Sequence, residues 1–209
     1  MIENNVKVFP FCDITDMWKK VLRDSRRTVN KEDTNKEPSE RFKKTILRSK
    51  HSPIRKLKFE IFIDEIPAYV SQQFSRHKIA IGSSDFLCWS EDIQPTDMEH
   101  FVQTSRSDRT DIPREERHQT DMVSYNFESN AQGLIDASKK RLCLAADKNA
   151  VKYWKLVKEG VNKICPELAD RMQPECVCCG FCPEDSNLVK CNFSNTETYK
   201  TLRNKYKNE

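Results

Sequence analysis

The chain has 209 residues, of which 37% are hydrophobic, enough for one sizeable domain with a buried core. A formal net charge of +4 is too small to indicate nucleic-acid binding, although it suits a small anionic substrate. There is no apolar run of about 18 residues and no signal-peptide pattern, so we expect a cytoplasmic protein without a membrane span.

Two residue types narrow the chemistry further. Nine cysteines in a chain of this length indicate reduced thiols rather than a disulfide framework. Only four glycines are present, and neither GxGxxG nor GxxxxGK[ST] can be drawn from them. Rossmann-type dinucleotide binding and P-loop chemistry are therefore disfavoured, and any nucleotide has to be held in another way.

The N-terminal part predicts a strand followed by two helices. Val6 to Cys12 has the pattern of a short strand, with Pro10 at an edge or an end. Asp13 is a plausible cap for a helix with apolar residues on one face. A charged loop over 27–38 follows, and Pro38 is expected to open the second helix.

The middle of the chain predicts a strand, a helix and a long irregular region. Leu57 to Ile63 is expected to be a strand with one well-buried face. Pro67 is expected to start a helix that runs to the basic cluster Arg76-His77-Lys78. The stretch 79–127 mixes short apolar groups with many polar residues, so we expect loops there with at most a short helix.

The C-terminal part predicts two helices and a cysteine-rich tail. Asn130 is expected to cap the first helix, which ends near Arg141, and the second carries apolar residues at helical spacing from Val151 to Ile164. The order of elements indicates an α+β or irregular α/β fold. We expect one domain over 1–172 and a tail over 173–209.

Three groups of residues could bind an anionic ligand. Two cations beside an imidazole can hold phosphate or pyrophosphate oxygens, as in the set Gln73, Arg76, His77 and Lys78. The alternative is that this cluster is merely the basic end of a helix. Thr104 and Arg106 could share one phosphate.

The third group is the helix from Asn130 to Arg141. Eleven residues are about three turns, so the amide and the guanidinium are expected on one face, roughly 16 Å apart. An arginine on the buried side of an apolar face needs an anionic or carbonyl partner.

The order of these motifs resembles the flavin-dependent thymidylate synthases. Matching places are a proline before the first buried strand, the Q-x-x-R-H triplet and an N-A-x-x-L helix that ends in arginine. The residues at these places are Pro53, Gln73, Arg76, His77, Asn130, Ala131, Leu134 and Arg141. The resemblance covers roughly residues 6–150. It implies an α+β fold with a twisted, mainly antiparallel sheet and flanking helices.

The resemblance also implies an activity. Enzymes of this family are homotetramers that hold FAD between subunits and convert dUMP to dTMP with methylenetetrahydrofolate and NADPH. Carried over to this chain, flavin and folate would be served by Gln73, Arg76, His77, Lys78, Asn130 and His51. The nucleotide would be served by Thr104, Arg106, Arg114 and Arg141, with Arg141 stabilising negative charge that develops on the pyrimidine.

Several positions depart from the family pattern. Lys78 replaces an arginine, and Phe86 and Cys88 stand where a serine and an arginine of the phosphate site are expected. Thr104 and Arg106 restore that pair if 79–103 is an insertion. Arg117 competes with Arg114, and His51 is one residue out of place. A changed substrate such as dCMP, or a protein that binds flavin or nucleotide without catalysis, is therefore an open alternative.

The tail contains a separate cysteine cluster. Cys176, Cys179, Cys182 and Cys191 could form a tetrahedral thiolate zinc site. The alternative is a set of reduced thiols in a compact tail. A zinc-stabilised interaction module is a further hypothesis for the whole protein. Neither a membrane nor a nucleic-acid partner is expected.

Overall fold

The computed structural model describes residues 5–75, 98–102, 116, 118–184 and 191–208. No helix within these ranges is long and apolar enough to cross a membrane. In chain order the elements are β1 (Val6–Pro10), α1 (Ile14–Arg27), α2 (Glu40–Ser49), a 3₁₀ helix (Ser52–Lys56), β2 (Lys58–Pro67), α3 (Ala68–Ser75), β3 (Met98–Val102), β4 (Met122–Asn130), α4 (Ala131–Arg141), α5 (Lys148–Ile164), α6 (Pro166–Arg171), α7 (Glu175–Cys179), a 3₁₀ helix (Phe193–Asn195) and α8 (Glu197–Asn208).

The four strands form one antiparallel sheet in the order β1-β2-β4-β3. Buried and partly exposed residues alternate along the two central strands, so one face of the sheet packs under the helices. Ile61 of β2 pairs with Phe127 of β4, and both are fully buried. The α+β class and the antiparallel sheet expected from the sequence are confirmed.

Two of the four strands differ from the sequence prediction. The region 79–127 was expected to be loops, but β3 and the first half of β4 lie within it. In β4, Val123, Tyr125 and Phe127 alternate with Ser124, Asn126 and Glu128, which is the pattern of a half-buried strand that the prediction of loops overlooked. The pairing with β2 supplies the hydrogen bonds and burial that make this polar segment a strand.

Helix ends follow local side-chain chemistry, with small differences from the prediction. The Asp13 carboxylate accepts hydrogen bonds from the amides of Thr15 and Asp16, as expected of a cap. The second helix starts at Glu40 because the Ser39 hydroxyl caps it, rather than opening at Pro38. Pro67 ends β2 instead of starting α3.

An aromatic cluster joins the sheet to the helices. Trp154 of α5 stacks on Phe127 of β4 with ring centroids 5.7 Å apart, and Phe74 of α3 meets the same indole edge-on at 5.1 Å. The Trp154 Nε1–H donates to the Ser138 hydroxyl of α4 at 2.8 Å. This cluster fixes α3, α4 and α5 relative to one another, which positions the candidate site.

Candidate active site on helix α4

Helix α4 begins at the point where β4 ends. The Asn130 Oδ1 accepts a hydrogen bond from the Gly133 amide at 3.0 Å, so the predicted cap is confirmed. The Ala131 amide donates to the Leu57 carbonyl at 2.8 Å, which joins the first turn to the start of β2. Asn130 itself is 5% exposed, so its amide is held in the protein interior.

Almost every residue of α4 is buried, including five polar ones: Gln132, Asp136, Ser138, Lys139 and Arg141. Burying polar groups is costly unless they are hydrogen-bonded or paired. Because α4 buries five polar side chains, we expect hydrogen-bonding or charged partners for them in the neighbouring elements. The contacts fall into two sets, one around Arg141 and one around Asp136.

The Arg141 side chain lies between α4 and α3. Its Nη2 donates to the backbone carbonyl of Gln73, and its guanidinium carbon lies 5.9 Å from the centre of the Phe74 ring. Arg141 is 6% exposed, and the aromatic cluster around Phe74 leaves it little freedom. The expected carbonyl partner is thus present, and a permanent positive charge is held in a poorly solvated place.

Tyr125 of β4 is the titratable neighbour of this cation. Burial raises the pKa of the Tyr125 phenol well above its ordinary value, and the charge of Arg141 opposes that rise only in part. The phenol therefore stays neutral at physiological pH. Arg141 is therefore the only charged group of this Tyr125–Arg141 pair.

The second set is an ion network that the sequence analysis missed. The Asp136 carboxylate, fully buried, accepts from Lys50 Nζ at 2.9 Å and lies 2.8 Å from Lys139 Nζ. The Gln132 amide also donates to it. Burial alone would raise the pKa of Asp136, but Lys50 and Lys139 outweigh it and lower the pKa below the usual value. A visible signal was the i,i+4 and i,i+3 spacing of Gln132, Asp136 and Lys139.

This network connects the predicted flavin residue His51 to α4. Lys50 ends α2 in the left-handed region with φ of 51° and reaches Asp136 from there. His51 follows directly and is exposed, and no side-chain hydrogen bond of it caps the 3₁₀ helix that it precedes. His51 is therefore the chain neighbour of Lys50, whose side chain contacts Asp136 in the middle of α4.

The structure brings part of the predicted site together. Gln73 and Arg141 are in direct contact, and Asn130 lies on the same helix as Arg141. The remaining predicted residues lie outside the described residues: Arg76, His77, Lys78, Thr104, Arg106 and Arg114.

The predicted zinc ligands have different surroundings from one another. Cys179 is exposed and its thiol donates to Glu175 Oε1 at 2.9 Å. Cys176, Cys182 and Cys191 line one small cavity, and Cys143 completes its thiol lining. Within the described ranges, no three His, Cys, Asp or Glu side chains are already arranged to hold a metal ion. The Cys179 thiol is thus bonded to Glu175 and does not line the cavity that the other three predicted ligands share.

Two thiols around this cavity, those of Cys143 and Cys176, are protonated at physiological pH. Burial raises the pKa of the Cys176 thiol to about 11, and Cys143, Cys182 and Cys191 contribute to the rise. Burial likewise raises the pKa of Cys143. The four sulfur atoms are thus near enough to one another to affect each other's ionisation.

Comparison with known proteins gives a fold but no sequence family. No family model matches the chain, and no curated protein sequence matches it significantly. Its structure is similar to that of Thymidylate Synthase X (ThyX) from Helicobacter pylori, solved with FAD and dUMP. The TM-score is 0.55 at 12% identity, over 80% of this chain and 98% of the other.

A second similar structure is the UMP/dUMP methylase PolB from Streptomyces cacaoi, solved with 5-Br dUMP. Here the TM-score is 0.55 at 10% identity, over 79% of this chain and 94% of the other. The chain has the fold of these enzymes. At such low identity the similarity establishes the fold, and any activity has to be argued from the residues of this chain.

Proposed function

We propose that this protein is a flavin-dependent enzyme that methylates a pyrimidine deoxynucleotide, with dUMP as the favoured substrate. Methylenetetrahydrofolate would donate the one-carbon unit, and NADPH would reduce FAD. The observation that carries the proposal is the buried Arg141, fixed at the end of an Asn130-capped helix in this fold. The catalytic unit would comprise residues 1–172, with 79–103 as an insertion and 173–209 as a tail.

Arg141 has the properties that a pyrimidine site needs. Its charge does not depend on pH, and its exposed fraction of 6% gives the charge a low-dielectric setting. Such a cation stabilises negative charge developing on a bound ring more strongly than an exposed one would. The Gln73 carbonyl and the Phe74 ring orient it before any ligand binds.

The described residues also fit a flavin. Gln73 and Asn130 carry amides, which can both donate to and accept from the polar edge of a flavin ring. Bound FAD would supply the hydride chemistry, while the protein binds and orients the reactants. Cofactor and folate contacts from Arg76, His77, Lys78 and His51 belong to the same proposal. Thr104, Arg106 and Arg114 would bind the nucleotide with Arg141.

Assembly as a homotetramer with FAD between subunits is part of the proposal. Its support is an apolar pair on the face of the sheet away from the helices. Phe9 is 49% exposed, and its ring lies 6.0 Å from that of Phe62. Light scattering coupled to gel filtration tests this directly, because a monomer in the presence of FAD would contradict it.

The main experiment is a visible absorption spectrum of the purified protein, recorded with added FAD and then with dUMP or dCMP. A flavin band near one equivalent per chain that is perturbed by dUMP would support the proposal. Perturbation by dCMP alone would move the substrate to the alternative pyrimidine. A protein that binds no flavin would overturn the proposal.

Turnover has to be measured separately, because Phe86 and Cys88 depart from the expected phosphate motif. Formation of dTMP from dUMP with methylenetetrahydrofolate and NADPH distinguishes the enzyme from a binding protein. Normal flavin binding without any turnover would favour the non-catalytic alternative.

Substitution of Arg141 tests the residue that carries the proposal. Arg141→Lys keeps the charge but loses the planar fork, so we expect about a 100-fold loss of turnover, typical of a lost charge-stabilising donor. Arg171→Lys is the matched control, since Arg171 is equally buried at 3% exposed but contacts the C-terminal helix. Equal losses in both variants would argue against a substrate role for Arg141.

Substitution of Asn130 separates helix capping from ligand binding. Asp is as good a cap as Asn, so Asn130→Asp should keep the helix while it removes the amide donor. We expect weaker FAD affinity with little change in melting temperature. Asn130→Ala, the comparison variant, should lower both. Unchanged FAD affinity in Asn130→Asp would remove Asn130 from the proposed flavin site.

A further inference from the structure

Four thiols from separate parts of the chain line one cavity beside α4. Cys143 follows the end of α4, Cys176 lies in α7, and Cys182 and Cys191 come from the segments after α7. The cavity has room for one water molecule or one ion. Its size and its sulfur lining suit a single small occupant.

The other two cysteines of the tail are directed elsewhere. The Cys179 thiol donates to the Glu175 carboxylate, and the Cys178 thiol donates to the Gln173 carbonyl at 3.6 Å. Neither belongs to the cavity lining. Of the four cysteines in residues 176–182, two line the cavity, Cys176 and Cys182, and the fold adds Cys143 from more than thirty residues earlier in the chain.

We propose that the thiolates of four residues bind a single zinc ion. These residues are Cys143, Cys176, Cys182 and Cys191. Four sulfur ligands are what a structural zinc site uses, and soft thiolates select zinc over hard cations such as magnesium. Binding would release four thiol protons and leave a complex of net charge −2. Lys139 and Lys140 line the cavity together with Glu175 and Glu184, so its charged side chains balance one another.

Metal binding requires the sulfur atoms to move together. No three potential ligands in the described residues are already placed around an ion, so the site closes as the ion enters. The local backbone allows this adjustment, because Cys143 follows the end of a helix and Cys182 follows the left-handed turn at Gly180, φ 91°. The Lys140–Glu184 ion pair, 3.3 Å, holds the two sides of the cavity near each other.

Zinc at this place would tie the C-terminal segment to the helix that carries Arg141. Cys143 lies two residues beyond Arg141, Cys176 lies in α7, and Cys191 lies six residues before the start of α8. The proposal does not depend on the proposed flavin function. A protein that binds zinc but no flavin would support the one and overturn the other.

The experiment uses the full chain, prepared under reducing conditions and freed of metal with a chelator. Titration with Co²⁺ should give a sulfur-to-cobalt charge-transfer band and visible bands typical of tetrahedral coordination, saturating at one equivalent. Zn²⁺ should then displace the cobalt at one equivalent. Absence of a thiolate band in the wild-type protein would overturn the proposal without any variant.

Serine variants then identify the ligands. Cys143→Ser, Cys176→Ser, Cys182→Ser and Cys191→Ser should each lower metal affinity at least tenfold or abolish binding. Cys179→Ser and Cys178→Ser should keep wild-type affinity and stoichiometry. Circular dichroism of each metal-free variant verifies that it is folded. Full binding by Cys143→Ser together with loss in Cys179→Ser would overturn the assignment in favour of the set predicted from spacing.

Discussion

Helix α4 and the C-terminal helix α8 are both rich in polar residues, yet they are attached to the protein in opposite ways. In α4, Asp136 and Ser138 are buried and bonded to other side chains. In α8 no side chain that the structure describes is buried, and Arg203 reaches out to the carbonyls of α7 instead. Polar composition alone therefore does not indicate how much a helix contributes to the stability of the fold. The burial of its polar side chains does.

The energetic consequence follows from solvation. A buried charge that loses its partner retains the full cost of its desolvation, whereas an exposed one returns to water. Disruption of α4 should therefore destabilise the whole protein, while disruption of α8 should remain local.

The largest effect is expected for Asp136→Asn. The change leaves Lys50 and Lys139 without their buried counter-charge, so we expect the free energy of unfolding to fall by about 3–5 kcal/mol. Urea denaturation followed by circular dichroism measures it. The matched control is Asp170→Asn, whose partner Lys205 is 46% exposed, and there we expect less than about 1 kcal/mol.

The same aspartate predicts a dependence on pH. Its pKa is lower in the folded protein than in the unfolded chain, so its stabilisation is complete above the ordinary aspartate pKa of about 3.9 and is lost as the pH falls toward the folded-state value. The stability difference between the wild type and Asp136→Asn should therefore shrink in acid. A difference that stays constant from neutral to acidic pH would contradict the assignment.

An intermediate effect is expected for Gly160→Ala in α5. A Cβ there would lie 2.4 Å from Val8 Cγ2, so β1 or α5 has to shift. Overpacking of this kind costs about 1–3 kcal/mol, partly offset by the higher helix propensity of alanine. Melting temperature measures the change. The double variant Val8→Ala/Gly160→Ala should recover stability relative to the sum of the single changes, and strict additivity would exclude the steric explanation.

The smallest global effect is expected for Arg203→Ala. Its guanidinium donates to the carbonyls of Val177 at 2.7 Å and Cys178 at 2.6 Å, near the end of α7. Such contacts of a partly exposed cation at a helix end contribute about 0.3–1 kcal/mol. We expect faster hydrogen exchange over residues 197–208 with an unchanged melting temperature. Loss of global stability would show that α8 belongs to the core after all.

Features that depend on neighbouring residues were predictable from the sequence. The caps Asp13 and Asn130 and the apolar faces of α1 and α5 follow from side chains three or four positions apart. The buried side of β2 follows from the apolar residues at every second position, Phe59, Ile61 and Ile63. Arg141 was singled out because an arginine on an apolar helix face requires a partner, and its carbonyl contact was found at Gln73.

Features that depend on distant residues were decided by the tertiary structure. β4 lies inside the sheet because β2 and β3 pair with it on both sides, and its own alternation of apolar and polar residues does not reveal those partners. The partners of Asp136 and the place of Cys143 among the tail thiols join segments far apart in the chain. Local spacing fixes the geometry within one helix or strand, but which elements meet is decided by burial of the whole apolar surface, and only the folded chain satisfies that condition.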